Sequence, residues 1–387
     1  MRKCFAAVFV VFVYCGFVKA QKDEFNPITT GVPSLSIAPD ARGGGMGDVG
    51  GATTPDVNSQ FWNPAKYAFM YDRAGISLSY TPWLRKLVND IYLAYLAGFW
   101  KLGSEDQHAM SASLRYFSLG DVLVTNDGKN GYNINPYELA VDLGYSIKLS
   151  ETFSGGVVLR YIYSDLAWSE SDEISPGWAI AADVAGYYNK YVMLGSAESL
   201  FSFGFNISNI GSKISYDNGA NSVFLPTNLR LGVSLLYPVS TYNTFAFNID
   251  LNKLLVPTPP DYSSMSTDKE KDQARLDYQS IGPVAGIFKS FSDAPGGFKE
   301  ELEEIMWSVG AEYAYNDQFF LRGGYYHESE NKGNRKYFSL GAGFKMSVFQ
   351  LDAAYLISTA QSNPLDQTLR FSLSFNMDGL KDLFGRR

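Results

Sequence analysis

Leu369-Arg370-Phe371-Ser372-Leu373-Ser374-Phe375-Asn376 alternates large apolar side chains with charged or small polar ones at every second position. Successive side chains of an extended chain point to opposite faces, so this stretch has one oily face and one face of charge and hydroxyls. The same rhythm recurs near 75 to 80, 91 to 101, 109 to 117, 138 to 148, 153 to 164, 179 to 188 and 200 to 207. It continues near 228 to 236, 244 to 252, 304 to 315, 319 to 326, 336 to 346, 349 to 357 and 368 to 376. Leu139, Val141, Leu143, Tyr145 and Ile147 share one face against Asp142, Gly144, Ser146 and Lys148. Phe245, Phe247, Ile249 and Leu251 repeat this against Asn248 and Asp250. Arg115, Asp142, Arg160, Arg230, Asp250, Glu312, Arg322, Lys345, Asp352 and Arg370 all fall on the less apolar face, whose parity Trp100, Phe117, Ile162 and Val184 also share. A mid-membrane Arg or Lys on a lipid face would cost about 2–4 kcal/mol, which gives this sorting a physical cause. About fourteen such segments with no helical periods between them predict an all-β chain. The expected form is a transmembrane antiparallel β-barrel with lipid outside and a polar lumen, rather than a soluble sandwich.

Arg2 and Lys3 precede an apolar stretch from Cys4 to Val18 and a small-x-small site at Val18-Lys19-Ala20, so residues 1–20 read as a secretory signal cleaved after Ala20. Cleavage there removes both cysteines, Cys4 and Cys15, and leaves no thiol for a disulfide framework. Tyr14 before Cys15 argues against lipidation. No run of about eighteen apolar residues exists elsewhere, which excludes an inner-membrane helix. With 27 Phe, 26 Tyr and 6 Trp, the chain has the aromatics that such barrels concentrate at their two interfaces. Loss of Arg2, Lys3 and Lys19 takes the 32 basic residues to 29 against 40 acidic, a formal charge of −11 that makes nucleic acid an improbable partner.

The connections alternate in length. Those at 118 to 137, 165 to 178, 208 to 227 and 253 to 303 are long, while 149 to 152, 316 to 318 and 347 to 348 are tight. Long loops outside and tight turns inside is the outer-membrane rule, and this sense places both chain ends in the periplasm. The domain order that results is a segment 21–70, a barrel 71–376 with a long extracellular loop 253–303, and a periplasmic tail 377–387. That loop opens on Pro257, Pro259 and Pro260 and predicts helices over 267–276 and 298–305, with an apolar patch from Ile281 to Phe291 between them.

Before the first strand lie Ala41-Arg42-Gly43-Gly44-Gly45-Met46-Gly47-Asp48-Val49-Gly50 and then Phe61-Trp62-Asn63-Pro64-Ala65. Gly45, Gly47 and Gly50 satisfy a dinucleotide fingerprint literally, but the match neither follows a strand nor opens a helix in a parallel unit. The glycines instead suit a backbone turning tightly inside a crowded lumen, an internal plug that Asn63-Pro64 ends with a turn. The two histidines, His108 and His327, lie in no ligand-spaced cluster, so no metal or cofactor is expected. His327-Glu328-Ser329 sits where a strand emerges, yet nothing marks an oxyanion hole or an orienting acid. A catalytic role is therefore not expected.

The plug ending at Asn63-Pro64-Ala65 ahead of fourteen strands resembles the FadL-like outer-membrane proteins. More narrowly, Pro39-Asp40-Ala41-Arg42-Gly43-Gly44, Gly45-Met46-Gly47-Asp48-Val49-Gly50, Phe61-Trp62-Asn63-Pro64-Ala65-Lys66-Tyr67-Ala68-Phe69 and Thr81-Pro82-Trp83-Leu84 resemble the PorV family of the type IX secretion system. The loop 262–297 and Asn363-Pro364-Leu365 before the last strand are similar to it as well. The resemblance covers nearly the whole chain after residue 20. It implies a non-enzymatic barrel that docks beside the type IX translocon barrel and receives cargo through the cargo's C-terminal signal domain. It further implies delivery to a sortase-like surface attachment complex that links cargo to lipopolysaccharide. On this reading Arg42, Gly45, Gly47, Asp48, Asn63 and Pro64 form the plug, and Trp83, Leu84, Tyr262, Ile287, Phe288 and Phe291 contribute to an extracellular contact surface. The other expectation is a FadL-type transporter of hydrophobic small molecules.

Overall fold

The computed structural model describes residues 25–84, 88, 90–103, 107–126, 130–166, 175–217, 219, 221–262, 265–359, 366–377 and 379. The leader 1–20, the Asn363-Pro364-Leu365 run and nearly all of the tail 377–387 lie outside them. Fourteen antiparallel strands close into one barrel. Its first seven are β1 (Ala74–Pro82), β2 (Ile91–Leu102), β3 (His108–Leu119), β6 (Tyr137–Lys148), β7 (Phe153–Asp165), β8 (Gly177–Leu194) and β9 (Ala197–Gly211). The rest are β12 (Asn228–Ser240), β13 (Asn243–Leu254), β14 (Ile305–Tyr315), β15 (Phe319–His327), β16 (Lys336–Lys345), β17 (Phe349–Ser358) and β18 (Leu369–Asn376). The alternating segment at the chain's end closes the cylinder, with Leu78 opposite Leu373 and Ser79 opposite Ser372. Closure removes every free sheet edge, the condition for strands in hydrocarbon. Two small hairpins, β4 (Val122–Asn126) with β5 (Asn130–Ile134) and β10 (Ile214–Ser215) with β11 (Ser222–Val223), form separate two-stranded sheets inside long connections.

Arg115, Asp142, Arg160, Asp250, Glu312, Arg322, Asp352 and Arg370 are buried inside, and Arg230 also faces the lumen. Lys345 ends β16 at the short-turn rim and is exposed. Phe117 and Ile162 face inward as expected, but Trp100 and Val184 do not: they point outward, 67% and 43% exposed. The buried inward positions beside them belong to Lys101 and Asp183. Val184 belongs to the unbroken alternation of β8, outward with Trp178 and Ile180 while Ala181, Asp183 and Ala185 face inward, so the inward expectation started the alternation on the wrong residue. The irregular pairing between Ala182 and Val184 has its extra residue in β9.

On the outer wall Tyr80, Tyr92, Tyr116, Tyr137 and Tyr163 run ring to ring along the long-loop rim, with centroids 5.6–6.1 Å apart. Phe319, Phe344 and Phe349 cluster at the other rim. Tyr137 and Tyr145, near opposite ends of β6, are about 26 Å apart along the strand at about 3.3 Å per residue, which on a strand tilted by about 40° rises about 20 Å and fits within an apolar band about 25 Å tall.

The segment before β1 fills the lumen. It carries α1 (Ala41–Gly44), α2 (Ser59–Trp62) and two 3₁₀ turns, Pro33–Ser36 and Pro64–Phe69. Its course corrects one expectation. The described chain starts at the long-loop rim, where the Asn26 amide donates to Asn331 O at 3.0 Å, and descends to the short-turn rim before β1 begins. The other end behaves differently, since the Asn376 amide donates to Val348 O at the short turns. Hydrogen bonds to the loops hold the first residues at the far rim.

The connection between β13 and β14 forms α3 (Asp268–Ser280), α4 (Pro283–Lys289) and α5 (Phe298–Glu303). Thr267 and Glu270 make a capping box that starts α3. The apolar patch between the two expected helices itself folds as α4, with Pro283 in its first turn. Leu143 stands on the outer wall at 60% exposure. Leu143→Arg is expected to destabilise the barrel by about 2–4 kcal/mol, measured by urea unfolding in lipid vesicles.

Candidate functional site

Three features share the lumen and its long-loop rim: the plug, a cavity above it and the helical loop. The plug is held by charge. Arg42 donates to Asp56 at 2.7 Å and to Glu312 at 3.0 and 3.2 Å, Glu312 accepts from Arg322 at 2.6 Å, and Arg322 donates to Asp352 at 2.6 Å. Asp48 pairs with Arg370 and accepts from the Tyr337 hydroxyl at 2.6 Å. Asp40 caps α1 by accepting from Gly43 N at 2.9 Å and also accepts from Trp62 Nε1 at 2.5 Å. Most inward wall charges thus meet a plug charge or a neighbour on the wall, which offsets their lost hydration.

The glycines permit close approach. Gly47 has φ +75°, and a Cβ there would lie 2.7 Å from the Tyr325 backbone. At Gly45 it would lie 3.0 Å from Gly341 Cα. Asn63 Nδ2 donates at 3.0 Å to Gly51 O and to Gly186 O, while Oδ1 accepts from Ala65 N and starts the turn that Pro64 opens. The structure thus brings Arg42, Gly45, Gly47, Asp48, Asn63 and Pro64 together in one plug. Lys66 was not singled out by sequence. It is fully buried and donates at 3.0 Å to Gly50 O and to Thr53 Oγ1. Nothing in a Lys after Pro-Ala announces burial.

Below, Tyr67, Met70 and Phe99 pack together and Tyr67 stacks on Phe99 at 5.2 Å. Above, Val32, Leu35, Ile162, Ile214 and Leu225 make an apolar cluster in which the 212–227 connection folds inward. Between these lies a cavity of about 90 Å³. Its lining includes Ile37, Phe61, Trp62, Trp83, Arg115 and Arg230.

The surface residues expected to act together are separated. Trp83 is half-buried and lines the cavity, and Leu84 is half-buried with φ +52°. Phe288 and Phe291 are exposed on the helical loop, Tyr262 is exposed at its start and Ile287 is half-buried. Val284, Phe298 and Leu302 are also exposed there. An ionic clasp fixes the loop. Lys253 Nζ donates to Glu301 at 3.0 Å and Glu304 at 2.6 Å, and Lys332 Nζ donates to Glu300 at 2.5 Å and Glu304 at 3.0 Å. Asn26 Nδ2 donates to Glu300 at 3.3 Å, tying in the N-terminal arm. Beside this clasp Asp293 is pushed up from 3.8 to about 6, by burial first and then by Glu301 and Glu304, against a backbone hydrogen bond from Thr258.

His327 stacks on Trp307 at 4.9 Å, while Glu328 is engaged by Arg335 at 2.8 Å rather than orienting the imidazole. Among the described residues no group of three or more His, Cys, Asp or Glu could hold a metal ion.

Residues 19–261 match the family model described as "Type IX secretion system protein PorV". Among solved structures, the chain is similar to the Pseudomonas putida toluene transporter TodX. One TodX structure matches at 9% identity over 88% of this chain and 97% of that one, with a TM-score of 0.51. A second matches at 10% identity over 91% and 99%, with a TM-score of 0.50. A Pseudomonas aeruginosa FadL homologue is similar at 12% identity over 91% and 99%, with a TM-score of 0.45. At such identities the TodX likeness shows the fold alone. No curated protein matches.

Arg42→Met removes the cation shared by Asp56 and Glu312. It is expected to cost about 3–5 kcal/mol and to release the plug, read as faster hydrogen exchange over residues 40–70. Because the folded pKa of Asp293 is raised, its contribution favours the clasp only while protonated and is lost as pH rises from 3.8 to about 6. Asp293→Asn should therefore slow exchange in the 255–304 loop roughly two- to fivefold at neutral pH and leave it unchanged in acid below the ordinary value.

Proposed function

Because the chain belongs to the PorV family of type IX secretion system proteins, we propose that it binds the C-terminal signal domain of secreted cargo at the translocon barrel and shuttles it to the cell-surface attachment complex. The chain is an outer-membrane β-barrel of that system, and its family and fold are those of a secretion or transport barrel rather than an enzyme. The attachment complex in this reading contains the sortase-like protein that links cargo to lipopolysaccharide.

The observation that carries the reading is the exposed apolar surface of the helical loop. Val284, Phe288, Phe291 and Phe298 are 63, 74, 51 and 78% exposed on a loop that the Lys253 and Lys332 pairs hold to the rim. Large aromatics kept in water on an ordered loop lower the cost of ordering on binding, and such residues dominate the energetics of partner surfaces. A filled lumen suits the same role, since a carrier needs a rigid rim and no conducting hole. Trp83 contributes through the cavity rather than through that surface.

A second reading, transport of a hydrophobic small molecule, is favoured by the apolar part of the cavity lining, Leu35, Ile37, Phe61, Trp62 and Leu254. Uptake of a labelled fatty acid into liposomes separates the two. On the secretion reading, Phe288→Ser with Phe291→Ser weakens capture of a purified cargo signal domain at least about tenfold while the barrel's melting profile is kept. Unchanged capture by the folded double variant, or by a folded chain lacking residues 262–296, sinks that reading.

A further inference from the structure

Besides the row of tyrosines on β1 to β7, the outer wall carries a second aromatic cluster at the long-loop rim, on β14 to β16. Trp307 stacks on His327 at 4.9 Å and lies 5.4 Å from Tyr325, which in turn lies 4.9 Å from Phe338. Trp307 stands opposite Leu251 on β13, and both occupy outward positions of their strands. Trp and Tyr collect where hydrocarbon meets headgroups, so Trp307 marks the outer boundary of the membrane on this side.

Only Glu304 separates α5 from β14, and the carboxylates of this stretch fix the helix's rotation. Glu300 and Glu304 accept from Lys332, Glu301 and Glu304 accept from Lys253, and Glu303 accepts from Asn331 Nδ2 at 2.9 Å. Phe298 and Leu302, four residues apart, share a side of α5 that these bonds leave free. They are 78 and 52% exposed. Leu302 lines one open groove with Ile305, Trp307 and His327. The apolar side of α5 is thus continuous with the lipid-facing wall of β14. Lys299 and Glu303 also border the groove and pair at 3.7 Å, so its flanking charges compensate each other. Helix α4 is placed differently. A Cβ on its Gly286 would lie 3.0 Å from Pro257 and 3.1 Å from Phe224, which belongs to the connection that folds over the lumen.

We propose that α5 is a membrane seat: Phe298 and Leu302 enter the outer leaflet beside Trp307, and acyl chains of that leaflet fill the groove. Lipid then anchors the helical loop on one side and the ionic clasp anchors it on the other. Apolar side chains fixed in water are unfavourable, whereas the same side chains at the acyl boundary are removed from it. Phe298 faces lipid on this reading, while Val284, Phe288 and Phe291 stay in water. The seat rests on the membrane barrel alone and not on cargo docking, so either can fail without the other.

The test attaches a nitroxide label to Phe298→Cys, Leu302→Cys or Phe288→Cys in the full chain carrying Cys4→Ser and Cys15→Ser, reconstituted in lipid nanodiscs without cargo. Collisions of the label with oxygen, which concentrates in hydrocarbon, are compared with those of a water-soluble nickel chelate. Labels at 298 and 302 are expected to meet the chelate at least about fivefold less often than the label at 288, and oxygen more often, as for side chains about 5–10 Å below the headgroup surface. Chelate access at 298 and 302 equal to that at 288 overturns the proposal. Low access to both reagents also overturns it, because that marks burial in protein instead of lipid. In a second measurement, Phe298→Ser with Leu302→Ser should speed hydrogen exchange over residues 298–307 in nanodiscs at least about threefold. Unchanged exchange in that folded double variant counts against the seat.

Discussion

Charge neutralisation across the lumen is the constraint on which the rest depends. A barrel whose outer wall dissolves in acyl chains must turn its ionisable residues inward, and an inward charge without a partner is costly once water is displaced. The run from Asp56 through Arg42, Glu312 and Arg322 to Asp352 crosses from plug to wall and along three strands, so each carboxylate has a guanidinium and each guanidinium at least one carboxylate. The plug is therefore part of the wall's electrostatics as much as a stopper. Its tight turns at Gly45 and Gly47 let backbone approach backbone where no side chain fits.

The two rims differ as a consequence of how the chain threads. The plug's lower end packs Tyr67 and Met70 against the inward residues of β2 and β3, sealing the short-turn side with apolar contacts. At the upper side the N-terminal arm and the 212–227 connection fold inward, and the helical loop is clamped above them through Lys253, Lys332 and three glutamates. The arm's Asn26 reaches both the 328–335 connection and Glu300, so the segment that plugs the lumen also steadies the loop with the exposed aromatics. Ordered apolar surface and a plugged lumen are thus two results of one threading.

The barrel was legible because side-chain alternation and the high cost of charge in lipid act residue by residue, with no need of long-range information. All fourteen barrel strands were found this way, Leu369–Asn376 most plainly. Parity failed at Val184 because the alternation was counted from the wrong residue: along β8 it runs unbroken, with Trp178, Ile180 and Val184 outward and Asp183 inward. It failed as well at Trp100, where a rim aromatic was assigned to the wrong face. The hairpins β4–β5 and β10–β11 and the helix α4 were hidden inside connections because short elements carry too few periods to read.

Sequence alone determined the closed membrane barrel, its long and short rims, the glycine-rich plug and the family resemblance, since each rests on local pattern or on contiguous motifs. Only the tertiary structure decided that the chain enters the lumen from the long-loop rim, that Trp83 belongs to a cavity rather than to the outer surface, and that Lys66 is buried. It alone decided which lumen arginines have carboxylate partners. These are matters of which residues far apart in sequence meet in space, and pairing across a closed cylinder is fixed by register and packing that no local alternation encodes.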